Sequence, residues 1–72
     1  MKLTIAESLK RLRSQMNITQ RQLSAHLNVS HQAVSRWEND TAYPDIELLP
    51  EIALFFGISV DELLGLSASP KG

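Results

Sequence analysis

The stretch TQRQLSAHLNVSHQAVSRWEND, Thr19 to Asp40, decides the fold because it carries its own punctuation. Thr19 and Gln22 make a T-x-x-Q capping box, in which two side chains satisfy otherwise orphaned helix-start amides. Leu23 and Leu27, four residues apart, give that helix a buried side. It ends near Asn28, and Ser30 is placed to cap the next helix. The gap is about three residues, short enough to hold two helices as one tight unit. Stepping about 100° per residue from His31 puts His31, Ser35, Asn39, Gln32 and Arg36 on a single arc. Val34 and Trp37 fall nearly opposite, and Glu38 lies beside Val34, near the buried side. One short helix thus carries a stripe of hydrogen-bonding side chains backed by an apolar one.

On the N-terminal side, Thr4 to Met16 reads as a helix, with Thr4 and Glu7 as a T-x-x-E box. Ile5, Leu9, Leu12 and Met16 share one narrow apolar stripe. Lys10, Arg11 and Ser14 fall opposite, Arg13 sits on the flank, and Asn17 is a left-handed stop. On the C-terminal side, TAYPD is a loop in which Pro44 holds Tyr43 extended. Ile46, Leu49, Ile52, Ala53 and Phe56 form a fourth helical stripe. Pro50 is tolerable only in a first turn, so the regular helix is expected to start near Leu48. Gly57 ends it. Ser59 and Glu62 cap a short fifth helix through Leu64. SASPKG, after Leu66, reads as a frayed tail or a cut linker.

The chain has 72 residues and no cysteine. That fits one domain with a limited core, stable by about 3–5 kcal/mol, without disulfides or thiolate metal sites. No apolar run resembles a signal peptide or spans a membrane, so a cytoplasmic location is expected. The net charge of −1 hides a polarity. Residues 1–36 set Lys2, Lys10, Arg11, Arg13, Arg21 and Arg36 against Glu7, a net +5. Residues 37–72 set Lys71 against Glu38, Asp40, Asp45, Glu47, Glu51, Asp61 and Glu62, a net −6. Such asymmetry points to a basic face for an anionic partner and an acidic face held away from it; a solvated mixed surface is the plainer alternative.

A short helix, a tight turn and a second helix with a polar outer face are the parts of a DNA-reading helix-turn-helix. Major-groove readout needs paired donors and acceptors: Gln for adenine, Arg for guanine, a methyl for thymine. Gln32, Arg36 and Ala33 match those three needs. Gln20, at the start of the preceding helix, sits where phosphate contacts are made.

These segments, followed by YPDIELLPEIALFFGISVDELLG, resemble the Cro/repressor-type helix-turn-helix domains of the Xre family, from about Thr4 to Gly65. The order T-Q, L, V-S, W-E-N, P-D, A-x-x-F and S-x-D-E-L-L is specific when taken together. The resemblance implies an all-α, compact five-helix repressor-like domain, with the helix-turn-helix at helices 2–3. Residues 1–66 would form that domain, and 67–72 a flexible C-terminal tail or truncated linker. It implies a sequence-specific transcriptional regulator, a repressor of bacterial or phage type. The partner would be double-stranded DNA with a near-palindromic operator, bound by a homodimer.

Residue by residue, Gln20 matches a glutamine that contacts the DNA backbone and braces the first reading residue. His31, Gln32, Ser35 and Arg36 match positions facing base edges or adjacent phosphates, and Asn39 matches a phosphate contact. Arg13 and Glu38 match a buried ion pair tying the first helix to the end of the reading helix. Ser30 and Ala33 complete the expected DNA-binding set, with Arg21, which either binds phosphate or solvates the second helix. Ser24 stands where the family often has Ala, so its hydroxyl needs a backbone acceptor. Asn28 and Asp40 stand where Gly is common. Thr41, Ala42 and Tyr43 replace a basic loop, which implies fewer phosphate ion pairs and more reliance on dimerisation.

Other readings are weaker. Trp37, opposite the arc, packs in the core rather than stacking on a base. His26 and His31 lack a ligand cluster, so no metal is expected. The acidic residues fall at helix starts, where they complement the dipole. With no nucleophile–base–orienter set, no enzyme, cofactor or small-molecule substrate is expected. Leu48, Leu54, Phe55, Leu64 and Leu66 exceed what one stripe can bury and form a possible dimer surface. The competing reading is a protein-interaction module of the same fold, antitoxin-like or an anti-regulator.

Overall fold

A computed structural model describes residues 4–66, so the expected tail at 67–72 lies outside the described residues. Five helices follow one another: α1 (Ile5–Met16), α2 (Gln20–Leu27), α3 (His31–Glu38), α4 (Leu48–Phe56) and α5 (Val60–Leu64), with no strand among the described residues. The core draws on every helix: Ile5, Leu9 and Leu12 from α1, Leu23 and Leu27 from α2, Val34 and Trp37 from α3, Ile52 from α4 and Leu63 from α5. Burial of these side chains, about 1.5–3 kcal/mol each, holds α3 against the rest by one face.

Local chemistry sets the boundaries. The Thr19 hydroxyl accepts from the Gln22 amide at 3.0 Å, and the Gln22 side chain accepts from the Thr19 amide at 2.7 Å. Ser59 and Glu62 form the same reciprocal box, and the Ser30 hydroxyl accepts from the Ala33 amide at 3.1 Å. Asn17 (φ 59°) and Asn28 (φ 60°) end α1 and α2 in the left-handed region, which Asn tolerates better than most residues. The buried Ser24 hydroxyl finds its acceptor in the Arg21 carbonyl at 2.8 Å.

Three expectations fail. The Thr4–Glu7 box does not form, because the Thr4 side chain makes no cap bond. The three working caps have extended backbones with ψ between 153° and 167°, whereas Thr4 has ψ 33°. Its N–H is committed to the Leu64 carbonyl at 3.1 Å, which ties the start of α1 to the end of α5. Met16 has the right angle for the α1 stripe but is 46 % exposed, since the last turn runs past the core. Ile46, placed in the fourth stripe, is 80 % exposed in the turn before α4, where periodicity does not apply. Pro50 occupies the first turn of α4, where its missing N–H has no intrahelical partner to lose.

Candidate nucleic-acid interface

Val34 and Trp37 anchor α3 and turn the opposite side outward. Gln32, Arg36 and Asn39 are exposed, while His31 and Ser35 are half-buried. The side chains of Gln32 and Arg36 have no partner among the described residues, so their donors and acceptors are available to another molecule. Asn39 donates to the Ser35 hydroxyl at the long distance of 3.5 Å, a weak bond. Ala33 is half-buried against the core, which limits the methyl surface it can offer. The Ser30 hydroxyl is engaged as the α3 cap. Arg21 is exposed on α2, and Lys10 and Arg11 are exposed on α1.

Behind this face lies a hydrogen-bonded chain. Arg13 Nε donates to Glu38 Oε2 at 2.5 Å, and Nη2 donates to Oε1 at 2.8 Å. Arg13 Nη1 donates to the Ile18 carbonyl at 2.9 Å, fixing the guanidinium on the α1–α2 turn. Glu38 is 4 % exposed. Its Oε1 also accepts from Gln20 Nε2 at 3.0 Å, and Gln20 Oε1 lies 3.2 Å from His31 Nε2. The chain runs from the core edge to the first residue of the exposed arc. Burial pushes the Glu38 carboxyl up, but the Arg13 and Gln20 hydrogen bonds and the charges of Arg13 and Lys10 outweigh it and hold the carboxyl below the usual range. The Glu38 hydrogen bond raises the Arg13 pKa further, against desolvation. Both partners are therefore charged in the folded protein near neutral pH.

The sequence placed Arg13 and Glu38 at the core edge but missed the bond from Gln20 to Glu38. Helical arithmetic works within one element, and these residues meet across two. The five apolar residues expected to form a partner surface do not share one exposure. Leu48, Phe55 and Leu64 are half-buried against the core, and the Phe55 ring packs against His26 at 4.2 Å between centroids, tilted by 42°. Leu54 is 82 % exposed and Leu66 40 %.

The chain matches the helix-turn-helix family over residues 9–63 and belongs to this Xre-type family. It is 47 % identical over 58 residues to the HTH-type transcriptional activator BcrR of Enterococcus faecalis, covering 81 % of this chain and 28 % of that protein. It is 29 % identical over 63 residues to the HTH-type transcriptional regulator ImmR of Bacillus subtilis, covering 88 % of this chain and 50 % of the other. The crystal structure of a transcriptional regulator from Listeria innocua superposes with a TM-score of 0.86 at 34 % identity, over 90 % of this chain and 61 % of that one. The chain thus spans between about a quarter and a half of the length of these curated relatives.

Proposed function

We propose, from membership of this helix-turn-helix family, that the chain is a sequence-specific duplex-DNA-binding transcriptional regulator that reads the major groove with α3. One observation carries the reading: Gln32 and Arg36 stand exposed, with no side-chain partner among the described residues, on the face of α3 opposite Val34 and Trp37. Gln presents a donor–acceptor pair to adenine, and Arg a double donor to guanine. His31 and Ser35 contribute beside them, while Gln20, Asn39, Arg21 and the α3 start near Ser30 contact phosphate. Ala33, half-buried, contributes a methyl edge at most.

A homodimer on a near-palindromic site follows from the size of the reading surface. One short helix reads only a few base pairs, and two copies about 34 Å apart double the site. Repression results when that site overlaps a promoter. The name of the Enterococcus relative assigns the opposite sign to a protein sharing this domain, so operator placement sets the direction of control. The exposed Leu54 supports the competing interaction-module reading, but that reading gives Gln32 and Arg36 no task.

Selection of bound sequences from random duplex DNA tests the proposal. Enrichment of two inverted half-sites about one helical turn apart supports it. Recovery of unselected DNA sends the search to protein partners on the Leu54 side.

A further inference from the structure

The chain Arg13–Glu38–Gln20–His31 has a direction as well as a geometry. An ionised carboxylate only accepts hydrogen bonds. Glu38 is held ionised by Arg13, and its Oε1 already receives Arg13 Nη2 at 2.8 Å. Gln20 must therefore turn its NH₂ toward Glu38, as the 3.0 Å Nε2–Oε1 contact has it, because the reverse amide would set oxygen against oxygen. That orientation points the Gln20 carbonyl oxygen at His31. A carbonyl also only accepts, so the 3.2 Å contact to His31 Nε2 is a hydrogen bond only if Nε2 carries the proton. In a neutral imidazole the other nitrogen is then a pure acceptor. His31 Nδ1 has no partner among the described residues.

We infer that Arg13, Glu38 and Gln20 are positioning residues that fix the tautomer of His31, so that neutral His31 offers Nδ1 as an acceptor and selects an amine-bearing base. In the major groove those bases are adenine, through its N6 amine, and cytosine, through its N4 amine. Guanine presents only the acceptors O6 and N7, and thymine the acceptor O4 with a methyl group. The inference rests on the DNA-reading proposal for its consequence, but the tautomer exists in the free protein. Histidine thereby gains a fixed polarity that it lacks in water, and a buried pair 25 residues apart in sequence acquires a role in specificity.

The test has two arms. In the first, ¹⁵N-edited NMR of the free wild-type protein, under mildly alkaline conditions that favour neutral imidazole, reads which ring nitrogen of His31 bears hydrogen. We expect the Nε2–H form, with an Hε2 proton slow enough to exchange with water to be observed. Gln20→Ala should lose that protected proton while Arg13 still pairs with Glu38. An Nδ1–H form in the wild type, or an equally protected proton in folded Gln20→Ala, would overturn the inference. Should Gln20→Ala not fold, the wild-type spectrum and the second arm still decide.

In the second arm, sequences are selected with the wild type and with His31→Ala, and the base position that relaxes in His31→Ala is scored. Every base pair holds one amine-bearing base, so the amine itself is removed at that pair, by replacing adenine with purine or cytosine with 2-pyrimidinone. This should weaken wild-type binding about tenfold, equivalent to about 1.4 kcal/mol, and leave His31→Ala unchanged. In Glu38→Gln the partner amide can donate, Gln20 is free to turn over, and the dependence on that amine should fall. Wild-type affinity that is the same with and without the amine overturns the inference and leaves DNA reading intact. A motif that does not depend on His31 does the same. Failure to enrich any motif overturns the DNA reading and the inference together.

Discussion

Glu38 is a carboxylate with almost no access to water, yet three N–H groups, from Arg13 Nε and Nη2 and Gln20 Nε2, keep it charged. Removing one member of such a pair strands the other, at a cost of about 3–5 kcal/mol. Arg13→Ala should therefore consume most of the stability of a domain this small, seen as loss of the cooperative transition in urea or a much lower midpoint. Arg13→Met with Glu38→Leu should recover most of it, because an apolar pair of similar volume has no charge to desolvate. The folded pKa of Glu38 lies below its ordinary value of 4.5. Its stabilisation is thus complete above that value and is lost as the pH falls through the depressed folded pKa. Acid titration of stability should show this limb in the wild type and not in Glu38→Gln. At this scale the sequence was legible in part. Flank positions on two helical wheels put Arg13 and Glu38 at the core edge, but the turn that brings Gln20 onto the same oxygen is a tertiary fact.

Element boundaries follow from capping chemistry wherever the backbone is free to adopt the cap. Thr19, Ser30 and Ser59 precede their helices in extended conformation and cap them. Thr4 has the same sequence signature but is bound to α5, so the signature misleads. Thr19→Ala should accordingly cost about 1 kcal/mol by thermal or urea unfolding. Gly65 gives a second comparison. Gly57 and Gly65 both adopt positive φ, 72° and 80°, so alanine at either is strained by about 1–2 kcal/mol. A Cβ at Gly57 meets open space, whereas one at Gly65 collides with the Thr4 side chain. Gly65→Ala should destabilise more than Gly57→Ala, and adding Thr4→Ala, which removes the Thr4 hydroxyl and methyl but keeps its Cβ, should reduce the excess. The α4 start was legible because Pro50 demands a first turn. Ile46 was not, because an apolar residue in a turn can mimic a stripe that has not yet begun.

Across the whole molecule, exposed Lys10, Arg11, Arg21 and Arg36 come from α1 to α3, and exposed Glu47, Glu51, Asp61 and Glu62 from the α4–α5 half. The charge asymmetry read from sequence is thus carried by different helices. With four exposed cations per protomer among the described residues, each worth a slope of about −0.9, log K against log salt should fall no more steeply than about −4 per protomer. A much steeper slope would mean that more phosphates are contacted than these side chains allow. The fold was legible almost throughout, since caps and 3.6-residue stripes are local. The arc on α3 was legible for the same reason, while the chain behind it depends on how α1, α2 and α3 meet. On the proposed function, the outer face of α3 reads bases through Gln32 and Arg36. The most direct measurement is parallel sequence selection with the wild type, Gln32→Ala and Arg36→Ala. Each variant is expected to relax a different position of the half-site, at about 1–3 kcal/mol. Variants that retain the wild-type motif and affinity would contradict that reading.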